Sequence, residues 1–172
     1  MNLMTIGEHI VQHQILGLKT GAGVGYPLVV SSGTGSQAVA GTGSAIDMAP
    51  GLITVPGGLM SATGSIRITA TWKFTGTTAA KTCLFKFGGT TYYSQAYANT
   101  VLSSVAQTVL HNKTTASQVA VGAGLATALG ATTGTTTTSA VDTASDVVIQ
   151  ITFSGNAADT ASLEHWIVEY LP

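Results

Sequence analysis

The chain has 172 residues, enough for one domain with an appended segment and too few for two well-filled cores. Only 8% of residues are charged and the net charge is -1, which excludes the Lys- and Arg-rich footprint that binds nucleic acid through its phosphates. The abundance of Thr, Ala, Gly and Ser, with a mean hydropathy of +0.39, fits thin β-structure with much contact between subunits.

Residues 1–17, MNLMTIGEHIVQHQILG, differ from everything after them. Thr5 and Glu8 match a capping box, with Ile6, Ile10 and Val11 following at helical spacing; a short helix and a β arm both accommodate the pattern. A segment this short is not stable alone, so Leu3, Ile6, Ile10, Val11, Ile15 and Leu16 need a partner surface, and the segment is predicted to be an attachment arm. No Lys or Arg precedes Lys19, and Glu8, His9 and His13 interrupt the apolar portion, so the features of a signal peptide are missing. Nor does any window of roughly 18 apolar residues suit a membrane helix. The expectation is synthesis in a cytoplasm and no membrane partner. His9 and His13 lie one helical turn apart, but Glu-His-x-x-x-His is not the metalloprotease order and no third ligand is in reach, so no metal site is predicted.

From Gly17 to Gly43 glycines punctuate short apolar pieces such as 28–30 and 38–40. Gly-x-Gly spacings occur, but no Lys-Ser or Lys-Thr pair and no strand-to-helix context follows them, so they predict turns rather than a phosphate loop. Residues 52–55 then form a short strand closed by Pro56, Gly57 and Gly58.

The clearest stretch is Gly64 to Tyr93, which contains four of the six Lys and Arg residues. Ile66, Ile68, Ala70, Trp72 and Phe74 share one parity, and Arg67, Thr69, Thr71 and Lys73 the other, as in a strand with one wet face. After Gly76, Thr77 and Thr78 the alternation resumes with Cys83, Phe85 and Phe87 until Gly88 and Gly89. The pattern predicts a long hairpin whose core side is Trp72, Phe85 and Phe87, with Cys83 a small buried hydrophobe.

Two or three strands are predicted between Ser94 and Gly122, where Val101, Ser103, Val105, Gln107 and Val109 share a parity. Residues 123–140 are a low-complexity Ala, Gly and Thr tract, predicted as a surface excursion or an irregular edge strand. Val147, Ile149, Ile151 and Phe153 mark another strand, a turn follows at 155–159, and 162–171 close the chain. Alternation there places Leu163, His165, Ile167, Glu169 and Leu171 on one face and Glu164, Trp166, Val168 and Tyr170 on the other. Large apolar groups on both faces predict a central strand, or one covered by a neighbouring subunit. About eight strands with no helix after residue 17 make the fold all-β, an antiparallel jelly-roll-like β-sandwich with a short N-terminal arm. A parallel β-helix is the alternative, without the fixed repeat it would show.

Little in the chain suggests chemistry. No Gly-x-Ser-x-Gly elbow occurs, His111 and His165 have no nucleophile partner, and the carboxylates are scattered, so neither an enzyme nor a cofactor is predicted. Asp142 and Asp146 bracket a turn and are too few for a calcium site; capping and turn hydrogen bonds account for them. Tyr92, Tyr93 and Tyr97 form the aromatic cluster outside the predicted strands, as a loop that either stacks on a glycan or packs an interface. Asn112-Lys113-Thr114 is a glycosylation sequon, without meaning in a bacterial cytoplasm.

The runs Gly64–Trp72, Lys81–Thr91, Val141–Thr143, Asp146–Thr152 and Leu163–Leu171, above all the Lys81 to Thr91 segment with its Phe-Gly-Gly-Thr-Thr ending, resemble a jelly-roll module of tailed-phage virion proteins. The resemblance covers residues 37–172 and leaves 1–36 as arm and linker. It implies a trimeric capsid decoration or head-fibre-base protein of the virion, made in the bacterial host. Its partners would be itself and the major capsid protein or another virion protein, docked through Leu3, Ile6, Ile10, Val11, Ile15 and Leu16. The alternative it implies is a tail-fibre or receptor-binding tip that recognises a host glycan through Tyr92, Tyr93 and Tyr97. A carbohydrate-binding or TNF-like module of cellular origin is a third reading.

Overall fold

The computed structural model describes residues 27–35, 38–48, 53–76, 79–121 and 136–172. The predicted arm, with Leu3, Ile6, Ile10, Val11, Ile15 and Leu16, and most of the low-complexity tract lie outside them. The described residues form twelve strands in two antiparallel sheets and contain no helix. The strands are β1 (Leu28–Thr34), β2 (Val39–Ala40), β3 (Ile46–Asp47), β4 (Ile53–Val55), β5 (Ser65–Thr75), β6 (Lys81–Phe87), β7 (Thr90–Tyr97), β8 (Ser103–Thr114), β9 (Ser117–Val121), β10 (Thr136–Ser139), β11 (Val147–Ser154) and β12 (Thr160–Leu171).

The larger sheet runs β1-β12-β5-β8-β9-β10, with β2 also paired to β12; the smaller runs β3-β11-β6-β7, with β4 also paired to β11. β1 and β2 meet successive parts of β12, Thr34 opposite His165 and Val39 opposite Ala161, so together they are one interrupted strand. β3 and β4 stand in the same relation to β11. Taking each pair as one strand and β9–β10 as an extension of β8, the chain crosses between sheets so that first, last, third and sixth strands lie side by side, facing the second, seventh, fourth and fifth. That order is a jelly roll, the predicted fold. Leu28–Thr34, assigned by the sequence to the linker, is therefore part of the sandwich.

The predicted hairpin between Gly64 and Tyr93 is not formed. β5 belongs to the larger sheet and β6 to the smaller, so the chain changes layers between Thr75 and Lys81. The two apolar parities were read correctly, but they face each other across the sandwich instead of lying side by side. Trp72 stacks on Phe85 with ring centroids 5.4 Å apart, and Phe74 meets Tyr97 at 5.6 Å and Phe153 at 6.2 Å. These rings and Ile66, Ile68, Phe87, Ile149, Ile151 and Leu163 are almost wholly buried and fill the gap between the layers. The true hairpin is β6–β7. Gly88 and Gly89, at φ +54° and +81°, make the two-residue turn with positive φ at both positions, which only glycine adopts at low cost.

Bulges decide which side chains face inward. In β12 the pairing with β5 slips at Glu164, so that Leu163 opposes Trp72 and His165 opposes Thr71. The extra residue shifts the parity: Leu163 joins Trp166, Val168 and Tyr170 inside, and His165, Ile167 and Glu169 turn outward, half-buried. The uninterrupted alternation predicted for this strand is corrected accordingly, while its central place between β1 and β5 agrees with prediction. Trp166 lies over Gly33 of β1, where a Cβ would come within 2.2 Å of two ring atoms, so that position has room for glycine alone.

Candidate functional site

The tyrosines of the predicted recognition loop are core residues. Tyr92, Tyr93 and Tyr97 lie in β7 and are 1%, 4% and 5% exposed, so they offer no face on which a sugar could stack. The cause is a second bulge. Phe85 opposes Tyr93 and Lys86 opposes Thr91, leaving Tyr92 as the extra residue and turning two consecutive rings inward. Tyr93 packs on Phe85 with centroids 4.9 Å apart. The hydroxyls are satisfied internally, with Ser104 Oγ donating to Tyr97 OH at 2.7 Å and the Tyr93 and Tyr97 hydroxyls 2.8 Å apart. Burial and the Tyr97 hydroxyl push the Tyr93 phenol well above its ordinary range. Of the two sequence readings of this cluster, packing is the one the geometry supports.

Each end of the sandwich has its own fastening, and neither is conspicuous in the sequence. At one end, the apex, the described residues of the four sheet-to-sheet connections, 41–45, 76, 79–80, 98–102 and 155–159, converge. Lys81 and Asp159 meet there, both 0% exposed, with Nζ 3.6 Å from Oδ1. Lys81 Nζ also donates to Asn99 O at 2.9 Å, the Ala79 N–H donates to Asp159 Oδ2 at 3.1 Å, and the Gly41 N–H donates to Asp159 O at 2.8 Å. The two residues of the buried ion pair thus touch every connection at the apex, the one at 41–45 through the Asp159 backbone carbonyl. Lys81 shares the inward parity of Cys83, Phe85 and Phe87, so alternation places it inside, but nothing in the local sequence shows which carboxylate meets it there.

At the opposite end the fastening is neutral. Gln118, 0% exposed, donates through Nε2 to Asn112 Oδ1 (3.1 Å) and Val141 O (2.9 Å), and its Oε1 accepts from Ser139 Oγ (2.8 Å) and Val141 N (2.9 Å). Because the Ser139 hydroxyl hydrogen is used on Gln118, Tyr92 OH is the donor in its contact with Ser139. Asn112 Nδ2 donates to Ser61 O (2.6 Å) and Thr143 Oγ1 (2.8 Å), and holds Ser61 at φ +49°. The sequon asparagine is therefore internal, 5% exposed. Asp142 and Asp146 act as turn acceptors, for the Ala144 and Gly57 N–H groups.

The outer face of the larger sheet carries Thr69, Thr71, Gln107, Val105 and Ile167, with one ion pair, Arg67 Nε to Glu169 Oε2 at 2.7 Å. The hydrogen bond to Arg67 holds the Glu169 carboxyl below the usual carboxylate range, against a smaller opposing effect of burial. A carboxyl whose pKa is lower folded than unfolded contributes stability above its unfolded pKa and loses it as pH falls through the folded value. The pair is partly exposed, so Glu169→Gln should cost at most about 1 kcal/mol near neutral pH. The cost should shrink as pH falls below the ordinary carboxylate range and through the lowered folded value, as read by urea unfolding of both proteins at each pH. Among the described residues the large exposed apolar side chains are Val29, Leu102 and Val105, at 49%, 58% and 60%.

Among the described residues no three His, Cys, Asp or Glu side chains converge as a metal site would require. The expectation that His111 has no nucleophile partner is corrected: the pairing of β5 with β8 sets it opposite Ser65, with Nδ1 2.6 Å from the Ser65 Oγ. Cys83 is fully buried, and burial pushes its thiol pKa up, away from the thiolate a nucleophile needs.

No family model matches the chain, and no curated protein matches it. Among solved structures it has weak similarity to the VP2 capsid protein of infectious bursal disease virus. The VP2 subviral particle gives a TM-score of 0.31 at 12% identity over 85% of this chain and 32% of that one, and the Gt strain gives 0.29 at 12% over the same shares. An exo-β-1,3-galactanase from Phanerochaete chrysosporium, solved with galactose, gives 0.21 at 15%, covering 85% of this chain and 29% of that one. The chain spans about a third of the length of these proteins, and likeness at this level assigns no activity.

Proposed function

We propose that this chain is a structural virion protein of a tailed phage, a jelly roll that assembles as a homotrimer and docks on the head shell through its N-terminal arm. In that role it is a capsid decoration or the base of a head fibre, and its partner is the major capsid protein or another virion protein. The observation that carries this reading is a charge-poor jelly roll that keeps Val29, Leu102 and Val105 exposed while its deepest polar groups, Lys81, Asp159, Asn112 and Gln118, bind its own connections. Such a surface associates with little desolvation of charge, and three arms on one trimer act together. The burial of Tyr92, Tyr93 and Tyr97 removes the feature that favoured glycan recognition.

Deleting residues 1–16 tests the role of the arm. A folded trimer that no longer binds phage heads is expected, and full retention of head binding would overturn the docking proposal.

A further inference from the structure

We infer that Lys81 and Asp159 are a site of covalent cross-linking, where the ammonium and the carboxylate condense to an isopeptide bond with loss of water. The inference is independent of how the chain assembles or docks. Nζ lies 3.6 Å from Oδ1, which is one covalent bond from the carboxyl carbon Cγ, and both side chains are 0% exposed. Two groups held in contact react as parts of one molecule, and that removes much of the entropic barrier to joining them. In water the separate amine and acid are favoured by mass action; a site that excludes solvent lifts this opposition. Lys81 opens β6 in the smaller sheet and Asp159 stands immediately before β12 in the larger, so the amide ties the two layers together.

The balance needs nothing beyond the two side chains. One proton passes from Nζ to Oδ1, leaving a neutral amine beside a neutral acid, a pairing that a dry interior accommodates better than two charges. The amine lone pair attacks Cγ and the negative charge develops on Oδ2. A second Nζ proton then goes to Oδ1 as the Cγ–Oδ1 bond breaks, and water departs. The Ala79 N–H donates to Oδ2 at 3.1 Å, where that charge develops. Gly76 leaves Oδ1 its place, since a Cβ there would come within 2.5 Å of it. The product is also satisfied where it forms. Its oxygen keeps the Ala79 N–H, and the single N–H left on Nζ keeps Asn99 O, which Nζ already meets at 2.9 Å. The bond forms only after folding has buried the pair, so freshly folded protein holds the ion pair and aged protein the amide.

The test is the intact mass of the full 17.3 kDa chain, read by mass spectrometry on fresh protein and again after prolonged incubation, with folding checked by circular dichroism. Aged wild type should be lighter than its sequence mass by one water, and a protease digest should contain one branched peptide joined through Lys81 and Asp159. The double variant Lys81→Met with Asp159→Asn lacks both reacting groups and should keep its full sequence mass. Aged, folded wild type at full sequence mass would overturn the inference. So would a loss of water that the double variant shares, or one without the peptide joined at Lys81 and Asp159, because either places the dehydration elsewhere in the chain.

Discussion

Lys81→Met should be among the most destabilising single substitutions in the chain, costing about 3–5 kcal/mol, because it leaves the Asp159 carboxylate buried without its cation. The cost comes from the stranded charge more than from the lost attraction. Water solvates a lone carboxylate far better than a protein interior does, and the geometry at 0% exposure admits no solvent to replace Nζ. Lys81→Met combined with Asp159→Asn should therefore recover most of the loss. The amide keeps an acceptor for the Ala79 N–H while removing the charge. Urea unfolding of wild type, both single variants and the double variant gives the coupling directly. If the double variant is as unstable as the sum of the singles, the ion pair is not the fastening of the apex. Loosened connections at 41–45, 98–102 and 155–159 should also exchange their amide hydrogens faster in Lys81→Met than in the double variant.

Gln118→Ala should be next in size, at about 3–4 kcal/mol. One buried side chain satisfies Asn112 Oδ1, the Ser139 hydroxyl and both backbone groups of Val141, and truncation strands all four. Each unsatisfied buried polar group costs on the order of 1 kcal/mol or more, and the groups compete for whatever water enters the cavity. Gln118→Glu offers a second measurement. It keeps the shape and the two acceptor contacts but loses the two donations, so it should also be destabilising at neutral pH and should partly recover when acid protonates the carboxyl. Thermal unfolding at neutral and acidic pH reads the difference, and a Gln118→Ala variant with wild-type stability would show that the network holds nothing. β9 and β10 are the outermost strands of the larger sheet, and this glutamine ties them to Val141 beside their ladder with β8, so their amides should lose protection first.

Some of this molecule is legible residue by residue and some is not. Ile66 to Phe74 and Cys83 to Phe87 announce their parities because each strand is regular for its whole length. The sequence of 90–97 conceals its strand, since the bulge at Tyr92 puts two aromatic rings side by side where alternation predicts one in and one out. Glu164 does the same to β12, where a strict period of two assigns Leu163 and Trp166 to opposite faces that in fact coincide. The polar fastenings escape sequence reading for a different reason. Lys81 shares the parity of its strand's core side chains, but its partner Asp159 lies 78 residues away, as the numbering of the pair gives, and no local pattern joins the two. Gln118 and Ser139 sit in Thr-, Ser- and Ala-rich stretches that read as surface.

The sequence by itself determined the all-β class, a sandwich of alternating strands, the identity of most core side chains and the turn-forming role of Asp142. All of these follow from period-two patterning and local turn chemistry, which are properties of neighbouring residues. Only the tertiary structure decided that β5 and β6 belong to different sheets, that Tyr92, Tyr93 and Tyr97 are interior, and that Lys81 with Asp159 and Asn112 with Gln118 close the two ends. Local alternation specifies that a face is buried but not what it is buried against. That choice is made by long-range pairing, and in this chain it turned the most conspicuous aromatic residues and one inconspicuous lysine into core.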